Sequence, residues 1–137
     1  MADDPHVSAL QAALAGEHAA VWGCGRAAGE LTGSDRTHAL DELDDHRRAR
    51  DDLRAQVVAL GGKPVEAAPA YAEPFEVTGR KAARQLLAQV GVAVCATYAD
   101  LAAASPQGAR RAVAKAASAS AGRAIAWGAE PEAFPGA

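Results

Sequence analysis

Two short stretches carry the side chains best suited to chemistry. "AGEHAAVWGCG", residues 15–25, sets Glu17 and His18 side by side among small apolar residues, and "DELDDHRRARDD", residues 41–52, supplies His46, Arg47 and Arg50. A carboxylate and an imidazole brought to one level of a helical bundle could begin a metal site. A carboxylate facing a guanidinium would instead make a bidentate ion pair. Which of these applies depends on the elements that carry the residues.

Four helical segments are predicted, over about residues 5–31, 36–60, 79–104 and 106–127, in one domain spanning 1–137. Asp4 followed by Pro5 reads as an N-cap with proline at the first helical position. Gly33, with Ser34 or Asp35, punctuates the first connection, and Ser105-Pro106 reads as the cap of the fourth helix. The first two helices carry apolar stripes at alternating spacings of three and four. Glu17 falls inside the first stripe, between Leu14 and Val21, and His46 and Arg50 fall inside the second. The third stripe, from Ala83 through Val94 to Ala104, and the weaker fourth, from Val113 to Trp127, hold no carboxylate. The tail after Trp127 is irregular, with Phe134 expected to fold back onto the bundle.

Alanine is the commonest residue, and Phe, Tyr and Trp together number six. Such a core must bring its helices close and pack small side chains, and alanine is also the strongest helix former. The formal net charge of -3 comes from interspersed charges of both signs, which excludes a nucleic-acid footprint. The start of the sequence has neither a basic n-region nor an apolar h-region, and no stretch reaches about 18 uncharged apolar residues. A cytoplasmic protein with no membrane partner is the expectation. Cys24 and Cys95 are too few for a disulfide framework or a zinc ribbon and read as small buried hydrophobes.

The linker, residues 61–78, "GGKPVEAAPAYAEPFEVT", decides the topology. Helices of about 25 residues are roughly 38 Å long, and about 17 extended residues span more than roughly 50 Å. A linker of that reach suits a crossover that leaves the third helix parallel to the second. Pro64, Pro69 and Pro74 favour an extended path, with Tyr71 and Phe75 as anchors.

If the first hairpin turns near residues 33 and 34, Glu17 lies opposite Arg50 with His46 one turn away. A buried polar cluster of Glu17, His46 and Arg50 is then predicted, a carboxylate partnered rather than left open. A bundle di-iron site needs a Glu from each of two helices and Glu-x-x-His from each of the other two. Here Leu43 stands three before His46, and neither of the last two helices offers Glu or His at mid-bundle. No di-iron cofactor is expected. If a single ion bound, its ligands would be Glu17, His18 and His46. His18, Arg47, Tyr71 and Tyr98 are candidate ligand contacts, and Arg47 with Arg50 could hold a small anion. No phosphate loop, nucleophile elbow or catalytic residue is evident. Gly16, Gly23, Gly25 and Gly29 on the first helix would admit a close neighbouring backbone, including that of another subunit.

"LQAALAGEHAAVWGCG", "LDDHRRARDDL", "APAYAEPFEV", "CATYADLAAA" and the closing "AFPG", in this order, resemble a small bacterial ferritin-like family of unknown function. The resemblance implies a ferritin-like four-helix bundle, homodimers and no established activity. The expectation is an all-α, ferritin-like four-helix bundle with a long crossover between helices 2 and 3. It would be a non-enzymatic structural or interaction protein without a complete di-iron site. The alternatives are a metal-binding or oxidoreductase relative using Glu17, His18 and His46, or an anion binder using Arg47 and Arg50.

Overall fold

The computed structural model describes residues 4–131. The chain forms four helices: α1 (Pro5–Ala28), α2 (Gly33–Ala59), α3 (Gly79–Ala104) and α4 (Gln107–Ala126). α1 starts where the Asp4 carboxylate accepts the His6 N–H at 2.8 Å, with Pro5 contributing no donor that needs a partner. It ends three residues before Leu31. α2 begins earlier than residue 36, at Gly33, whose φ of +57° suits a residue without a Cβ. Asp35 does not cap α2; it reaches Arg80 at 2.7 Å and Arg84 at 3.4 Å on α3. Ser105 likewise turns back, its hydroxyl donating to the Leu101 carbonyl at 2.6 Å, and Pro106 takes the cap position of α4.

The helix directions follow from side-chain contacts. Glu17 meets His46, and a Cβ on Gly62 would meet both Val57 and Val7, so the start of α1 lies at the end of α2 and the two helices are antiparallel. A Cβ on Gly16 would touch Thr97 and one on Gly23 would touch Val90, so α1 and α3 are antiparallel as well. α2 and α3 therefore run parallel, and the linker crosses the length of the bundle. It is stitched to α1 throughout. The Gln11 side chain bonds Lys63 O and Val65 N, Trp22 packs on Tyr71 with ring centroids 5.7 Å apart, and Arg26 holds Glu73 and the Val77 carbonyl. At the far end Glu30 accepts the Gly79 N–H at 3.1 Å, where α3 begins.

α1 packs on α2 and α3, and α3 packs on α4. Gly91 is where α4 comes closest, because an added Cβ would lie 2.7 Å from the Ala124 Cβ and 3.0 Å from its backbone. The apolar core falls into two clusters. One gathers Cys24, Ala27, Leu31, Leu43, Val77, Leu86, Leu87 and Trp127; the other gathers Leu10, Leu14, Leu53, Val57 and Leu101. Glu17 and His46 lie between them. By length and composition alone α3 could cross a membrane, with a mean hydropathy of 1.5 over its most apolar window, yet Leu86, Leu87, Gly91, Val94 and Cys95 pack into the bundle. Phe134, expected to fold back onto the bundle, lies outside the described residues.

Candidate functional site

The middle layer of the bundle is built around one carboxylate. Glu17 is 1% exposed and His46 is 3% exposed. The His46 Nδ1 lies 2.7 Å from Glu17 Oε2, so the imidazole N–H donates to the carboxylate. α1 delivers Glu17 because its stripe position faces α2; α2 delivers His46 because Leu43, His46 and Leu53 share its buried face. Tyr98, from α3, closes the layer from the other side. Burial first, and then the negative charge of Glu17, hold its phenol well above the usual tyrosine range.

Arg50 is not the partner of Glu17. It is half-buried, and its Nε donates to Asp51 Oδ1 at 3.0 Å. The difference comes from the turn. α1 ends at Ala28 and α2 already starts at Gly33, and with Glu17 facing His46 the hairpin pairs about residues 31 and 32, about two residues nearer the N-terminus than residues 33 and 34. The opposing register then shifts by about four residues, one helical turn, which substitutes His46 for Arg50.

The remaining predicted residues point elsewhere. The His18 Nε2 donates to the Val65 carbonyl at 3.1 Å, so this imidazole fastens the linker and does not join Glu17 and His46. Arg47 is exposed and pairs with Asp44 at 3.4 Å, leaving Arg47 and Arg50 each beside an aspartate rather than converging on an anion. Tyr71 serves the linker, stacking on Trp22 and accepting the Ala68 N–H at 3.1 Å.

The residues present do not fit a di-iron centre. By the register that puts Gly91 against Ala124, α4 presents Ala117 and Ser120 to this layer, and α3 presents Val94, Cys95 and Tyr98. Among the described residues, no group of three or more His, Cys, Asp and Glu is placed to hold a metal ion. The two thiols are buried. Burial, reinforced by the negative charges of Glu42 and Glu17, pushes the Cys24 thiol up to about 12, far from a nucleophile's range.

A second polar feature was not evident in the apolar stripes. Trp127 Nε1 donates to both oxygens of Glu42, at 3.0 and 2.9 Å, and Arg123 pairs with Asp45 at 2.9 Å, tying α4 to α2. The Arg84 guanidinium lies 5.1 Å over the Trp127 ring. Burial raises the Glu42 carboxyl above its ordinary value despite the Trp127 hydrogen bond and the Arg123 charge. The available signal was positional: Glu42 and Asp45 sit one helical turn apart, flanking the buried face of α2.

A search of curated proteins finds no match. The crystal structure of a conserved hypothetical protein, rv2844, from Mycobacterium tuberculosis superimposes with a TM-score of 0.85 at 26% identity, covering 93% of this chain and 97% of that one. The model of the domain of unknown function DUF4439 matches residues 9–137, and the chain is therefore a member of that family.

Proposed function

We propose that this chain is a bacterial, cytoplasmic, ferritin-like bundle that has no interior reaction centre and works through its surface, as a self-associating structural or interaction protein. The observation that carries this reading is the closed middle layer. The one carboxylate at the level where a ferritin-like protein would gather metal ligands is taken up by His46 and flanked by Tyr98, with α4 offering only Ala117 and Ser120. A carboxylate partnered in this way can set the register of neighbouring helices, a use that suits a core in which alanine is as common as leucine. The crossover linker follows the ferritin-like plan, and its dense stitching to α1 supports a rigid scaffold.

Anaerobic Fe(II) titration with elemental analysis tests the reading. The expected result is no stoichiometric metal, and no difference in metal content between the native chain and Glu17→Gln. Two irons per chain, or one ion lost on Glu17→Gln, would refute it.

A further inference from the structure

The two halves of α4 are held very differently. Its buried residues, Ala117, Ser120 and Ala124, all lie in the second half. There Gly91 admits Ala124 against α3, and the Arg84 guanidinium donates to the Ala126 carbonyl at 3.4 Å. The side-chain bonds that join α4 to α2, from Arg123 to Asp45 and from Trp127 to Glu42, also leave from this end. From Gln107 to Ala116 no residue is buried; Val113 and Ala116 are half-buried and the rest are exposed. Val113 is the α4 residue that packs on the second core cluster, beside Tyr98, and Arg110 donates to the Ser105 carbonyl at 3.0 Å across the corner from α3.

The sequence also makes this first half a poor helix start. Pro106 stands at the cap position, and no side chain accepts the first orphan N–H groups. Gly108 lowers helical propensity. The first turn holds no acid, and Arg110, Arg111 and Lys115 place positive charge toward the positive end of the helix dipole. Weak local helix energy and weak packing therefore coincide in one segment.

We propose that residues 107–116 form a gate. This half of α4 leaves the bundle and loses its helix as one unit, tethered at Ser105 and at Ala117, while the rest of the molecule stays folded. A segment with few buried contacts and solvent-exposed backbone hydrogen bonds opens well below the free energy of global unfolding. Opening uncovers the second core cluster where Val113 rests on it, as far as Tyr98, whose phenol feels the charge of Glu17. The gate thus gives solvent a way to the Glu17–His46 layer without separating α1, α2 and α3. It goes beyond a role at the surface, and its test is independent of that reading.

Site-resolved native-state hydrogen exchange on the full chain, followed by NMR, tests the gate. The amides of Ala112–Ala116 are compared with those of Ser120–Ala124, because the first four N–H groups of a helix have no intrahelical partner in any case. The amides of Ala112–Ala116 are expected to share one opening constant, at least about a hundredfold larger than that of Ser120–Ala124, with a step near Ala117. Val113→Ala removes the apolar contact and should speed exchange of Ala112–Ala116 about tenfold. Gly108→Ala, which adds a methyl group where nothing lies within 4 Å, should slow it about fivefold. Both should leave Ser120–Ala124 unchanged, and Gly108→Ala alters only an exposed position, so its result stands even if Val113→Ala disturbs the fold. Protection that climbs evenly from Ala112 to Ala124 would be fraying of a helix end and would overturn the gate. Equal protection in the two halves, a step that neither substitution moves, or effects spread over both halves would overturn it as well.

Discussion

Removing the Glu17 carboxylate should damage the fold in a graded way that identifies its partner. In Glu17→Ala the His46 Nδ1–H, 2.7 Å from the lost oxygen and 3% exposed, has no protein acceptor, and a small void opens between the two core clusters. An orphaned buried donor costs about 1–3 kcal/mol, and losing one member of a buried pair up to about 3–5; about 3 kcal/mol is expected here. For 137 residues at about 2.1 cal/mol/K each, the unfolding entropy is about 290 cal/mol/K, so Tm should fall by about 10 °C. Glu17→Gln retains an acceptor of nearly the same shape and should cost about 1 kcal/mol. Glu17→Leu combined with His46→Leu, which removes both polar partners, should recover most of what Glu17→Ala loses. Urea and thermal melts followed by circular dichroism at 222 nm give all of these values. If Ala and Gln at residue 17 cost the same, or if the double replacement is worse than the single, the layer is not held by the Glu17–His46 pair.

Glycine contacts predict substitutions of opposite sign. Gly91→Ala should destabilise by about 1–3 kcal/mol, because its Cβ would meet Ala124 backbone at 3.0 Å. Gly25→Ala, with nothing within 4 Å, should stabilise by about 0.5–1 kcal/mol, and urea melts showing the two glycines equivalent would contradict the helix spacing. Cys24, with its thiol pushed up to about 12 by burial, should react with a disulfide reagent at pH 8 roughly a thousandfold more slowly in the native chain than in urea; comparable native and denatured rates at residue 24 would refute its burial. Glu42 has a raised folded value, so the folded state binds its proton more tightly than the unfolded state does. Its contribution is then present below the unfolded carboxylate value and lost as pH rises through the folded one. Glu42→Gln keeps an acceptor for Trp127 and should gain stability relative to the native chain as pH rises above the ordinary carboxylate value. A pH-independent difference between the two would show that Glu42 is solvated.

How much of this was legible depended on whether the signal was local. Helix boundaries are set by nearby residues, and Asp4 with Pro5, Gly79 and the Ala-rich segments led to an all-α four-helix chain with a crossover. Glu17 and His46 were also visible as interruptions of apolar stripes. What failed was the facing, because residues opposed across a hairpin depend on where the turn closes, and an error of about two residues there becomes a full helical turn at the opposite strand of the pair. His18 shows the same limit from another side. One residue from Glu17 in sequence, it is turned by about 100° around the helix, which takes it from the bundle interior to the linker carbonyl of Val65.

That division has a physical consequence for a core in which alanine is as common as leucine. At the alanine positions small side chains give nearly the same packing energy at several helix offsets, so apolar contacts there specify register weakly. One buried acid–imidazole pair restores specificity, because sliding α2 by a turn would place Arg50 or Leu43 against Glu17 and leave His46 without its acceptor. The linker makes the same correction along α1. Gln11, His18 and Arg26 along α1, and Glu30 just past its end, grip the linker from one end to the other, so the crossover length is fixed by hydrogen bonds to this segment rather than by the linker's own stiffness. Register is therefore held by polar groups inside and beside α1.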